Sequence, residues 1–191
     1  MQVGVLALQG DFREHIGALG DLNVHGVEVR RPADLADIDA VVIPGGESTT
    51  IGRLAELYGV TAPLRDAIVA GLPALGTCAG MIYLACGTTG PHQPQLGVLD
   101  IVVERNAFGR QVESFEEDLP VAGLEMPLRA VYIRAPWIHK VGSEVEVLAE
   151  SQGHPVVVRQ GRVLATAFHP ELTADRRIHT MLLDLVEQRR G

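Results

Sequence analysis

Apolar residues along this chain recur in two different rhythms, and the change from one to the other organises everything else. The opening run QVGVLALQG is a continuous apolar strand that stops at the polar turn Gln9-Gly10. DFREHIGALGDL follows at helical spacing, with Phe12, Ile16 and Leu19 on one face. VEVRRP and DAVVIPGG predict two more strands. The second is almost wholly apolar, as in a parallel sheet covered on both faces. ESTTIGRLAELYG and TAPLRDAIVAG predict helices, the first with Ser48 or Thr49 as its N-cap. LPALGTC predicts a fourth strand, and Ala79 to Cys86 another helix. This alternation over residues 1 to 87 predicts an α/β fold with an open, mostly parallel sheet flanked by helices.

After Gly87 the rhythm changes. GTTGPHQPQ is a loop, and LGVLDIVVERN, RAVYIRAP, EVEVLAES, PVVVRQ and RVLATAFHP are strands with little helix between them. HPVVVRQGRVLATAF predicts a hairpin turning at Gln160-Gly161. The second half is therefore an antiparallel extension, appended to the sheet or continuing it. A last amphipathic helix is expected from about Ala174 to Arg190, with Ile178, Met181, Leu182, Leu185 and Val186 on its apolar face. No repeat or linker divides the chain, so a single domain over residues 1–191 is expected.

Composition narrows the partners. Apolar residues make up 47% of the chain and charged residues 21%, as in ordinary soluble proteins. A net charge of −8 with no basic stripe argues against nucleic-acid binding. No apolar run reaches membrane-spanning length. Two unbridged cysteines and no export signal point to the cytoplasm.

Those two cysteines read differently. Cys78 falls on a tight strand-to-helix turn between Gly76 and Gly80, where a nucleophile would be held outward over the sheet edge. The start of a helix beside it favours thiolate. Cys86 has none of this and is expected in the core. On one helical run they would stand about 12 Å apart, beyond the Cα limit of about 7 Å for a disulfide. A thiolate needs a group to handle its proton, and seven histidines compete. His15, His139 and His179 read as surface or interface residues, and His25, His92 and His154 as turn residues. His169 stands at the end of an apolar strand, the edge where ligands bind in open α/β sheets. Glu171, two residues on, can turn back to fix its tautomer. The third piece is IPGGEST. Its two glycines let a backbone N–H, with that of Ala79, face an oxyanion. No Walker A ending and no zinc-ligand spacing is present, so neither a metal nor another cofactor is expected.

The order P-G-G-E-S, G-T-C-A-G and F-H-P-E resembles the class I (triad) glutamine amidotransferases, whose fold is flavodoxin-like. LALQGDFREH, VVERNAFGRQVESFE and IRAP resemble one branch in particular. That branch comprises the glutaminase subunits of the pyridoxal 5′-phosphate synthase that works without deoxyxylulose phosphate. The resemblance runs from about residue 3 to residue 186. Ala167, where relatives often carry serine, is a small departure. It implies Cys78, His169 and Glu171 as catalytic triad, with Gly46 and Ala79 as oxyanion hole. Gly46, Glu47, Ser48, Arg105, Ile133 and Arg134 would then hold glutamine, and Gln9, Gly10, Glu14 and His15 would serve the partner interface or activation. It further implies hydrolysis of L-glutamine through a cysteine thioester, ammonia delivery to a synthase subunit in a hetero-oligomer, and activity that awaits that partner. Three rival readings remain open at this point. They are a triad amidotransferase serving another synthase, a cysteine peptidase or stress protein on a similar fold, and a catalytically silent interaction subunit.

Overall fold

The computed structural model of the chain describes residues 1–105 and 114–190. The first half alternates as its apolar pattern requires: β1 (Gln2–Leu6), α1 (Phe12–Asp21), β2 (His25–Val29), β3 (Ala40–Ile43), α2 (Ser48–Leu57), α3 (Thr61–Val69), β4 (Ala74–Thr77) and α4 (Ala79–Leu84). The second half is strand-rich: β5 (Ala85–Thr88), β6 (Leu99–Glu104), β7 (Ser114–Leu119), β8 (Leu128–Ile133), β9 (Trp137–Val141), β10 (Glu146–Ser151), β11 (His154–Gln160) and β12 (Val163–Thr166). A short 3₁₀ turn at Pro170–Leu172 leads to the closing helix α5 (Arg177–Arg190).

Among the described residues the main sheet has seven strands in the order β10-β11-β12-β4-β3-β1-β2. From β2 to β12 every neighbouring pair is parallel. β11 and β10 then continue the sheet antiparallel. Every residue of β3, β4 and β12 is buried, which is why those strands read as unbroken apolar runs. The β11–β12 hairpin pairs Gln160 with Val163 across Gly161, whose φ of +56° supplies the turn. The remaining strands, of which β5 and β6 pair parallel and the others antiparallel, are not part of this sheet. They form a three-stranded sheet, β5-β6-β9, and the pair β7-β8.

Three departures from the sequence reading have local causes. The helix after Cys78 ends at Leu84 rather than at Cys86. Its last carbonyls are taken by the returning chain, with Leu96 N–H donating to Tyr83 O at 2.7 Å and Val98 N–H to Leu84 O at 3.0 Å. Cys86 therefore sits on β5, exposed and unbridged, and is not a core residue. The closing helix starts at Arg177 instead of Ala174, since the Asp175 carboxylate accepts the Arg177 N–H at 3.0 Å. Strands β7 and β9 were not expected at all. Part of the VVERNAFGRQVESFE motif, residues 106–113, lies outside the described residues.

A close crossing in the core lies below the turn at Cys78. A Cβ on Gly80 would run into the carbonyl oxygen of Ile43, so α4 can lie against β3 only with glycine there. Gly80→Ala should cost about 1–3 kcal/mol or more, because backbone rather than a side chain must yield. Gly17, on the exposed face of α1, has nothing within 4 Å of its Cβ position. Gly17→Ala should stabilise by about 0.5–1 kcal/mol through helix propensity. Urea unfolding of the two variants checks both the signs and the contrast.

Candidate active site

The site is assembled at the carboxyl ends of four adjacent parallel strands. Asp11 follows β1, Gly45 and Gly46 follow β3, Cys78 follows β4, and His169 follows β12. This edge is where an open α/β sheet leaves room for a ligand. Cys78 occupies a strained backbone position with φ of +48° and ψ of −104°, unusual for a residue carrying a side chain. The strain is held by the sheet, through the Cys78 N–H bond to Thr166 O at 2.8 Å. It is the geometry of a nucleophile elbow, as the flanking glycines predict.

His169 is fixed from behind by its N–H bond to Val131 O at 2.9 Å. Its Nδ1 lies 2.6 Å from Glu171 Oε1, and both side chains are almost wholly buried. Burial works against the charged imidazole. The hydrogen bonds and charges of Cys78 and Glu171 outweigh it and raise His169 from its ordinary 6.5 to about 10. Burial likewise raises the carboxyl of Glu171, and the imidazolium beside it opposes that rise. A carboxylate at 2.6 Å from a protonated ring is a coupled pair, and the contact holds its charged form. A second carboxylate, Asp11 Oδ2, stands 3.5 Å from the same Nδ1. Asp11, His169 and Glu171 bring their ligand atoms within 4.8 Å of one another. Since Nδ1 is already engaged by Glu171, the arrangement orients a ring better than it would chelate a cation.

In front of Cys78 and His169 lies a cavity of about 450 Å³. Gly46, Glu47, Ser48, Ala79, Arg105, Ile133 and Arg134 all line it, together with Asp11, Ile82 and Pro136. The sequence-predicted pocket residues thus converge. Glu47 has a role there that the sequence reading gave to Ser48 or Thr49: it is the N-cap of α2. Its carboxylate accepts the N–H groups of Thr49 at 3.1 Å and Thr50 at 2.7 Å. Burial tends to raise its carboxyl, but these bonds and the threonine hydroxyls lower it to about 2. Arg105 donates to Glu47 Oε1 at 3.0 Å and to Gln93 Oε1 at 3.0 Å. The Gln93 oxygen also accepts from Ser48 Oγ at 3.1 Å and Thr49 Oγ1 at 3.2 Å. Gly45 O accepts from Asp11 N–H at 3.2 Å, which turns the Gly45–Gly46 carbonyl toward α1 and the Gly46 N–H the other way. Gly46 itself has φ of +146°.

Two residues were missed and one was misread. Asp11 lies inside the quoted QGDFREH motif, yet only the fold shows its carboxylate at His169. Gln93 sits in a loop with no pattern to mark it. His15, read as a surface residue serving the partner interface or activation, is fully buried, so it offers no surface for docking, and a part in activation is left open. Gln9 and Gly10 are half-buried and Glu14 is exposed.

Comparison with known proteins decides the family. The model of the SNO glutamine amidotransferase family matches residues 5–188. The chain belongs to this family. It is 58% identical to the pyridoxal 5′-phosphate synthase subunit PdxT of Frankia alni, covering 97% of this chain and 94% of the relative. It is also 58% identical to the subunit of the same name from Acidothermus cellulolyticus, covering 97% and 93%. A crystal structure of a glutamine amidotransferase superposes with a TM-score of 0.94 at 56% identity, covering 97% of this chain and 98% of that one. The expected open parallel sheet with an antiparallel extension is the fold of this family.

In this family member burial disfavours the proton on His169, and the hydrogen bonds and charges of Cys78 and Glu171 together hold it. That proton contributes stability below pH 6.5 and loses it as pH rises through about 10. In Cys78→Ala, His169 should therefore titrate below its native value of about 10, as followed by NMR of the imidazole. An unchanged titration would mean that Glu171 alone retains the proton.

Proposed function

We propose that this chain hydrolyses L-glutamine to L-glutamate and ammonia, and passes the ammonia to a synthase subunit that makes pyridoxal 5′-phosphate. The observation that carries this reading is the strained Cys78 beside the buried His169–Glu171 pair, opening on a pocket of amino-acid size. Family membership and the PdxT relatives support the same activity. The peptidase and silent-subunit readings have no comparable support.

The steps follow from the geometry. The Cys78 sulfur attacks the side-chain amide carbon of glutamine, and the N–H groups of Gly46 and Ala79 take the developing oxyanion. His169, already protonated, gives its proton to the departing nitrogen, releasing ammonia and leaving a glutamyl thioester. Water then attacks the thioester, His169 accepts its proton, and glutamate leaves. Glu171 holds the ring and its charge through both halves. Gly46, Glu47, Ser48, Arg105, Ile133 and Arg134 hold the glutamine backbone and side chain, since all line the pocket.

Gln9, Gly10 and Glu14 at the start of α1 are the surface offered to the synthase subunit. Asp11 links that surface to the Gly45 carbonyl through its N–H, so docking at α1 can act on the oxyanion peptide. We read residues 1–191 as one glutaminase domain working in the cytoplasm within a hetero-oligomer, without metal or cofactor. No helix among the described residues is long and apolar enough to cross a membrane.

Cys78→Ala in the complex should abolish glutamine-dependent pyridoxal phosphate formation while leaving formation from ammonium salt intact. Cys86→Ala, on an exposed strand position, should leave both unchanged. Ammonia release and cofactor formation, each measured with glutamine and with ammonium salt, check this. Retained glutamine turnover in Cys78→Ala would overturn the assignment.

A further inference from the structure

Behind Glu171 lie two imidazoles that the reaction just described does not use. His15 on α1 and His179 on α5 are both fully buried, 164 residues apart in sequence. His15 Nδ1 is 3.0 Å from His179 Nε2, and His15 Nε2 is 3.1 Å from Thr77 Oγ1. The same Nε2 is 3.3 Å from Glu171 Oε2, the oxygen facing away from His169. Glu171 Oε2 and His179 Nδ1 are buried without a hydrogen-bond partner of regular geometry among the described residues, so the approach of His15 Nε2 to Oε2 is a close polar contact and not an aligned hydrogen bond.

Only one proton arrangement suits these atoms. If His15 carries its proton on Nε2, that N–H donates to Thr77 Oγ1 and sets its positive end 3.3 Å from the carboxylate oxygen. Its bare Nδ1 then accepts the Nε2–H of His179. If the proton were on Nδ1, a bare Nε2 would face a buried carboxylate oxygen. His179 would in turn be left with an unpaired N–H on Nδ1, and an orphaned buried donor is costly.

We propose that His15 is a positioning residue of the catalytic triad. Its Nε2–H, set by His179, holds the outer oxygen of Glu171 so that the inner oxygen stays aligned on His169 Nδ1. Burial, reinforced by His179, His169 and Arg176, holds His15 well below its usual value. Burial and Arg176 hold His179 at about 4. A neutral His15 orients the carboxylate without competing for its charge, on which the proton of His169 depends. The inference rests on the glutaminase reading of this site.

Two substitutions separate positioning from mere filling. His15→Asn puts a carboxamide near the place of Nδ1, keeping an acceptor for His179 and losing the donor to Glu171. His15→Gln reaches the place of Nε2, keeping the donor and losing the His179 bond. In the complex with the synthase subunit, His15→Asn should lower glutaminase kcat about tenfold to a hundredfold with KM unchanged. His15→Gln should keep most of it. Equal loss in both, or full activity in His15→Asn, would overturn the proposal. Histidine ¹⁵N NMR of the full chain alone gives a second reading, independent of partner and of either variant folding. His15 and His179 should both be Nε2–H tautomers, and His15 found protonated on Nδ1 would equally overturn it. A wild-type complex that released no ammonia would instead sink the glutaminase reading, with the tautomers still deciding this one.

Discussion

The contact between His169 and Glu171 is the constraint that most of this structure serves. Burying a charged pair costs several kcal/mol of lost hydration per ion, recovered only where geometry and further hydrogen bonds are good. The fold supplies these from all sides. β8 holds the backbone of His169, the 3₁₀ turn at Pro170–Leu172 bends Glu171 back toward the ring, and His15 closes the far side of the carboxylate. Cys78 is brought to the same place by a separate strand at a cost in backbone strain. A chain without the sheet could not hold these groups together, since residues 78 and 169 meet only because β4 and β12 pair.

That pairing explains why the chemistry lies at one edge. β1, β3, β4 and β12 are adjacent and parallel, so the segments leaving them emerge side by side. The register Thr166↔Thr77 sets the last residues of β12 and β4 level, just before His169 and Cys78. Glycine at position 80 then lets α4 leave β4 against the carbonyl of Ile43. The site is thus a consequence of strand order and of one close helix–strand approach.

Much of this was legible in the chain, for reasons that also mark where reading fails. Fully buried parallel strands such as AVVI and VLAT announce themselves, and a cysteine between close glycines marks a turn. The end of α4 was not legible, because Ala85, Gly87 and Thr88 pair with β6, whose other partner β9 lies far along the chain. β7, SFEEDL, is half acidic, and what holds it as a strand is its partner β8. Glu47 was missed as a cap because the hydroxyls beside it match the usual preference better. His15 looked like a polar surface residue of an amphipathic helix. Only the arrival of Thr77, Glu171 and His179 from three other elements makes its burial affordable.

The two walls of the pocket are held by very different energies. On the His169 side the charged contacts are buried and unscreened, so they fix one geometry. On the Arg105 side the Glu47–Arg105 pair is about half exposed, at 48% and 38% of the two side chains. An exposed pair of that kind contributes about 0–1 kcal/mol, little more than thermal energy. Arg105 can leave Glu47 and Gln93 at small cost, because each partner keeps other hydrogen bonds. His169 has no such freedom, since leaving Glu171 would strand two buried charges. The Arg105 wall can therefore adjust while His169 and Glu171 stay fixed.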